Sequence, residues 1–159
     1  LLVVVYATIE LRGIFPKGSG GRTLIKEAHF MLGLTVFVLV WLRLFARSLG
    51  VAPKIIPAPP QWQSLMATLM HVALYIFMIG MPILGWMVTS AAGNQVMFYG
   101  IDLPLLMSEN KELAKQLQGW HVLGGTIGYW LIGLHALAGI AHHYYYRDNT
   151  LLRMMPKRN

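Results

Sequence analysis

A chain of 159 residues that is 56% hydrophobic and only 12% charged, with a mean hydropathy of +0.54, is too apolar for an ordinary water-soluble domain. The absence of cysteine excludes disulfides, thiolate metal sites and thioether-linked prosthetic groups. The 13 Lys and Arg outnumber 6 Asp and Glu, but they stand between apolar runs rather than on one basic face, which argues against a nucleic-acid partner. These features point to an integral membrane protein whose charges set its topology.

Four apolar segments follow in chain order. A membrane-crossing helix needs about 20 apolar residues, and Leu1 to Ile9 falls short before the polar loop Glu10 to Lys26. The expected first helix is therefore truncated, with about half a span upstream of Leu1. No small-residue cleavage site follows the run, so a signal peptide is not expected. Ala28 to Phe45 supplies the second span. The stretch VAPKIIPAPPQWQ, Val51 to Gln63, is too rich in proline for regular helix and forms the second loop.

Leu65 to Ala91 supplies the third span, in which Pro82, flanked by Gly80 and Gly85, predicts a kink. The third loop holds Gly93-Asn94 and Gly100 to Pro104, and Ser108 is expected to cap a short amphipathic surface helix within SENKELAKQLQ. Trp120 to Tyr144 supplies the fourth span. The expected fold is an all-α integral membrane bundle of four helices, one domain over 1–159 with spans at about 1–10, 28–47, 65–91 and 119–146. Arg43, Arg47 and Lys54 share one side with Arg147, Arg153, Lys157 and Arg158, and the clustering of Arg43 and Arg47 beside a helix end places that side in the cytoplasm. Arg12, Lys17, Arg22, Lys26, Lys111 and Lys115 share the other side.

The histidines carry the chemistry. His121 and His135 are fourteen residues apart, which on a helix is about 21 Å along the axis and about 40° around it. They face one way at two depths, with Gly128 midway on that face and Gly125 and Gly139 near the same stripe. His29 opens the second span and lies level with His121 if loops one and three share a side. Two neutral imidazoles at matched depth beside a glycine-lined slot suit both faces of a haem iron. Histidines stacked on one another, and small residues that merely let helices approach, are the structural alternatives.

The stretches ELRGIFPK (Glu10 to Lys17), EAHFMLG (Glu27 to Gly33), VWLRLFAR (Val40 to Arg47), GWH (Gly119 to His121) and GYWLIGLHALAGIAHHYYYRDNTLLRMMP (Gly128 to Pro156), with the proline-rich loop, resemble the bacterial four-helix cytochrome b561 proteins. That family is related to the membrane cytochrome subunits of hydrogenases and formate dehydrogenases. The resemblance covers essentially the whole chain. It implies two haems b, with His121 and His135 each ligating one and His29 completing the first. The remaining partner would come from the first span, before Leu1. His71 is the runner-up ligand for His135, and otherwise a bundle hydrogen-bonder or a quinone contact.

The resemblance further implies a dihaem oxidoreductase of the bacterial inner membrane that passes electrons between superoxide at the periplasmic side and ubiquinone. The basic first loop is compatible with an anionic substrate. Quinone is expected near the His135 haem, where His71, His142, His143 and Tyr144 to Arg147 offer hydrogen-bond donors beside a lipid entrance. The second function class is a membrane-anchor cytochrome that exchanges electrons between a partner dehydrogenase or hydrogenase and quinone, with the first loop as a docking surface for that redox partner protein.

Overall fold

The computed structural model describes residues 1–50 and 54–152. Arg153, Lys157 and Arg158 of the topology expectation lie outside the described residues. Helix α1 spans Leu2–Leu11, α2 Gly20–Leu49, α3 Gln61–Ala91 and α4 Lys111–Tyr144, with a 3₁₀ turn at Arg12–Ile14 and strands β1 Val96–Phe98 and β2 Ile101–Leu103 between α3 and α4. The three later helices, of 30, 31 and 34 residues, are long and apolar enough to cross a membrane. At 1.5 Å per residue each exceeds a hydrocarbon core of about 30 Å, so their ends reach into the polar interface.

Local chemistry fixes the ends. Ser19 caps α2 by accepting the Arg22 amide at 3.3 Å, and α2 stops at Gly50. Pro60 precedes α3, where its fixed φ and missing N–H cost nothing. The helix therefore begins at Gln61, three residues inside the expected loop, and the amides of Gln63 and Ser64 close on the Pro60 carbonyl. Gly93, at φ +75°, turns the chain out of α3 in a conformation that suits glycine.

Two expectations change in the third loop. Asn110, not Ser108, is the N-cap, accepting the Leu113 amide at 3.0 Å, and KELAKQLQ forms the first turns of α4 itself rather than a separate surface helix. Nothing between Gln118 and His121 breaks the ladder, because Gly119 lowers propensity without ending a helix. The loop also contains an antiparallel hairpin, paired Val96 with Leu103, Met97 with Asp102 and Phe98 with Ile101. Tyr99 at φ 47° and Gly100 at φ +84° give the two-residue turn that matches strand twist. The Trp86 indole donates to the Pro104 carbonyl at 3.0 Å and the Leu106 amide to Ser90 Oγ at 3.2 Å, which fasten this segment to α3.

The helices pack in succession, α1 on α2, α2 on α3 and α3 on α4. Helix α1 reaches α4 through side chains: Tyr6 donates to the Gly125 carbonyl at 2.7 Å, and Tyr129 donates to Glu10 at 2.5 Å. Interior packing is sparse. Leu34, Val36 and Val40 of α2 and Leu74 of α3 are buried, and Ala91, Ala114 and Leu117 form a small cluster near the hairpin. Phe45, Ile76 and Trp130 are 64%, 68% and 72% exposed. Burying such a side chain is worth about 1.5–3 kcal/mol relative to water, so a surface of this kind is built to face lipid.

Bonds between loops place the ends of the spans. The Ile56 amide donates to Asn149 Oδ1 at 2.9 Å, and the Asn149 amide returns to the Ile56 carbonyl at 3.2 Å. The second loop and the segment after α4 therefore share one end of the bundle, as the charge pattern requires. The hairpin and the first loop share the other. We call the half nearer the hairpin the upper half and the opposite one the lower half.

Candidate functional site

Two pairs of histidines meet at two depths. In the upper half His29 of α2 faces His121 of α4, with ring centroids 6.2 Å apart and planes at 81°. In the lower half His71 of α3 faces His135 of α4 at 5.4 Å and 69°. The expected equal depths of His29 with His121 and of His71 with His135 are both observed. Among the described residues no three His, Cys, Asp or Glu side chains converge, so these are pairs rather than a chelating cluster.

The upper pair is oriented from behind. His29 Nδ1 lies 3.1 Å from the Val5 carbonyl, which can only accept, so the ring carries its proton on Nδ1 and keeps the Nε2 lone pair free. Thr8 Oγ1 stands 3.2 Å from the same nitrogen while donating its own proton to Val5 at 2.6 Å. This arrangement is the outer-shell device that fixes the tautomer and basicity of a metal-ligating histidine. His121 differs. Its Nδ1 is buried without a hydrogen-bond partner, a state that costs about 1–3 kcal/mol unless a bound group offsets it.

A cavity of about 450 Å³ opens at this pair, lined by residues of all four helices and by Asn94 and Val96 before and within β1. Its volume is within the range of small-molecule and cofactor sites, about 300–1,000 Å³. Gly33, Gly85 and Gly125 form part of its wall. A Cβ at Gly85 would stand 3.2 Å from His121 Cε1, so the missing side chain makes room for that ring, whereas Gly33 and Gly125 border open space. Two neutral imidazoles across a largely apolar slot fit a haem at this level.

Gly128 plays a different part. It is buried, and a side chain there would collide with the Tyr6 hydroxyl and the Phe77 ring. It is not among the residues that line the cavity. The glycine stripe therefore serves two purposes: Gly125 leaves space for a bound group, and Gly128 admits two aromatic side chains between the histidine levels. The Tyr6 ring also packs on Tyr129 with centroids 4.3 Å apart.

The mouth of the cavity is charged. Arg12 and Lys26 line it together with Glu10. Lys26 Nζ sits 5.6 Å from the Phe30 ring centroid. Arg22, expected in the same group, is turned onto the Phe15 and Arg12 carbonyls at 3.1 and 3.4 Å and holds the first loop in shape. Lys17 is exposed and is not among the lining residues.

His142 and His143 lie two turns beyond His135. His142 Nδ1 pairs with Asp148 Oδ2 at 2.6 Å, and its ring packs on Tyr146 at 5.1 Å. Asp148 is buried and also accepts the Thr150 amide at 2.9 Å. Burial alone would raise its pKa, but the hydrogen bonds from Thr150 and His142 outweigh burial and hold the carboxyl below its ordinary range. His143 leaves Nδ1 buried without a partner and packs edge-on against Tyr144 at 4.8 Å.

Sequence reasoning did not single out Tyr6, Thr8, Gly85 or Asp148 in these roles. Tyr6 and Glu10, four residues apart on α1, share a face. Gly85 stands one turn after Pro82, and its service to the His121 ring depends on a packing register that no local pattern reveals.

Residues 1–157 match the family described as prokaryotic cytochrome b561. The chain is 41% identical over 157 residues to cytochrome b561 homolog 1 of Escherichia coli strain K12, covering 99% of this chain and 89% of that one. It is 35% identical over 158 residues to the probable superoxide oxidase CybB of Yersinia pestis, again covering 99% and 89%. Cytochrome b561 homolog 2 of E. coli K12 is 24% identical over 135 residues, 82% of this chain and 70% of its own.

Proposed function

The chain belongs to the prokaryotic cytochrome b561 family of multi-pass membrane oxidoreductases, and from that premise we propose that it carries electrons from superoxide to ubiquinone across a bacterial inner membrane. The observation that supports this reading most is the His29–His121 pair across an apolar cavity whose mouth presents Arg12 and Lys26. The naming of a relative 35% identical as a probable superoxide oxidase agrees with it.

Haem b, when bound, supplies one-electron redox chemistry that no side chain here provides. His29 and His121 would hold it in the upper half, and the Val5 carbonyl and Thr8 keep the His29 proton on Nδ1 and its Nε2 free to ligate. Gly85 seats the His121 ring. Arg12 and Lys26 outweigh Glu10 at the mouth, and the net positive local field raises the encounter rate of a small anion. Superoxide needs neither acid nor base to give up its electron and leave as dioxygen.

In the lower half His135 would hold a second haem b, as the family resemblance implies. Two electrons and two protons convert one ubiquinone into ubiquinol, so two superoxide ions become two dioxygen molecules per quinone. His71, whose ring lies 5.4 Å from that of His135, would be a quinone contact on this reading. His142 and His143 lie farther along, where His142 is oriented by Asp148.

Stopped-flow mixing of the purified holoprotein with superoxide and ubiquinone tests the reading. Reduction of the haem faster than spontaneous dismutation, followed by ubiquinol formation, is the expected result. Haem that is reduced only by a co-purifying dehydrogenase, and not by superoxide, contradicts it and favours the anchor function.

A further inference from the structure

The hairpin between α3 and α4 is fastened to the bundle at two depths. At its base the Trp86 indole donates to the Pro104 carbonyl at 3.0 Å, and Trp86 adjoins Gly85, which packs on the His121 ring. The base is therefore level with the upper imidazole pair. At its tip the Tyr99 hydroxyl lies 3.2 Å from Thr35 Oγ1 on α2. Thr35 already gives its own proton to the Met31 carbonyl at 2.7 Å, so Tyr99 is the donor. Thr35 stands six residues after His29, about 9 Å deeper along the axis, near the middle of the apolar run Ala28 to Phe45. The hairpin thus turns back down the bundle instead of leaving it.

Its inner side rests on protein. Val96 is buried and, with Asn94, lines the upper cavity, and strand β1 lies against both α2 and α3. The remainder is bare, with Met97, Tyr99 and Ile101 all exposed. Half of a hydrocarbon core of about 30 Å is longer than a tyrosine side chain. With its hydroxyl near mid-span, the Tyr99–Gly100 turn is therefore itself below the membrane surface. No charge occurs from Val96 to Ile101. Asp102, one residue farther from the turn, is exposed. A carboxylate in hydrocarbon is expensive, so Asp102 marks the headgroup level above the tip.

We propose that the hairpin is re-entrant: its tip, Phe98 to Ile101, is embedded in the upper leaflet, where Tyr99 and Ile101 bind the acyl chains of bilayer lipid. Lipid is the occupant because the Thr35 bond fixes the depth of the tip within this chain, and because the tip continues the exposed apolar surface of α2 at Val38, Leu39 and Leu42. Backbone that is not helical is tolerated at such depth only where protein covers it. Here α2 and α3 cover β1, and strands of three residues keep the uncovered length short. The upper cavity therefore meets lipid across the hairpin and water at the Arg12 and Lys26 mouth.

The chain has no cysteine, so a single introduced thiol gives a unique label. Haem-loaded Ile101→Cys, Leu105→Cys, Ile76→Cys and Lys17→Cys are each labelled with a nitroxide and placed in phosphatidylcholine vesicles. Power saturation then compares collision with oxygen, which enters lipid, and with nickel ethylenediamine diacetate, which stays in water. Each is taken relative to nitrogen, which subtracts relaxation by the haem iron. The oxygen-to-nickel ratio at Ile101 should exceed that at Lys17 by at least about tenfold, since lipid excludes the polar complex. It should approach the ratio at Ile76 on the lipid face of α3, and Leu105, beside the base, should read shallower than Ile101. A ratio at Ile101 equal to that at Lys17 overturns the proposal and makes the hairpin a water-exposed loop. Exclusion of both probes at Ile101 also overturns it, and dipolar broadening between labels would then identify a second copy as the occupant. If Ile101→Cys loses its haem absorbance, Tyr99→Cys is read against the same limits.

Discussion

The two halves of the bundle are built on one spacing and end in different chemistry. On α4 the fourteen-residue interval repeats imidazole, from His121 to His135; on α2 it replaces imidazole by guanidinium, from His29 to Arg43. The upper half therefore holds an imidazole pair from α2 and α4, backed by Val5 and Thr8 of α1. The lower half pairs α4 with α3, and there Arg43 of α2 donates to Tyr75 of α3. Repetition along a helix sets depth, while the partner helix decides what that depth can do.

Removing an upper imidazole should break the comparison most severely. His29→Ala and His121→Ala are each expected to abolish haem binding in the upper half, read as loss of its low-spin signal, while leaving the His135 level intact. Next in size are the glycines. Gly128→Val drives a side chain into Tyr6 and Phe77, and Gly85→Val drives one against the His121 ring. Each should cost about 1–3 kcal/mol by overpacking, with haem content falling in Gly85→Val.

The charges at the upper mouth rank third. Replacing both Arg12 and Lys26 by Gln should slow reduction by superoxide by about tenfold at low ionic strength and flatten its salt dependence, whereas Lys17→Gln should do neither. Thr8→Val sharpens the account of His29. Losing one of two acceptors at Nδ1 makes the imidazole a poorer donor to ferric iron, so the midpoint potential should rise by up to about 60 mV in a redox titration.

The smallest effect belongs to Asp148. Its folded pKa lies below its unfolded value, so the unfolded chain binds more protons between the two. Its stabilisation is present above the unfolded carboxylate pKa and is lost as pH falls through the folded one. The melting temperature of the parent should therefore drop more steeply from pH 5 to pH 3 than that of Asp148→Asn.

The spans were legible because lipid imposes a length and a composition that a single sequence displays. The depth matches were legible too, since His121 and His135 share a helix and His29 and His71 follow from antiparallel neighbours. The sequence alone did not show which glycines border space and which admit neighbours. Gly125 and Gly128 read alike on a helical wheel, and only the arrival of Tyr6 and Phe77 from other helices separates them. The hairpin escaped because three-residue strands carry too short a pattern, and Tyr99 at positive φ is not the Asn or Asp that usually announces such a turn. KELAKQLQ read as a surface helix because its charges lie outside the membrane, although its backbone is continuous with α4.

The claim on which the rest depends is that imidazoles from α2 and α4 grip one iron in the upper half. A reduced-minus-oxidised spectrum of His121→Ala made in a His135→Ala background tests it most directly. The account predicts that His135→Ala alone keeps a low-spin haem b spectrum and that the double variant has none. A double variant that keeps this spectrum at full intensity would contradict it.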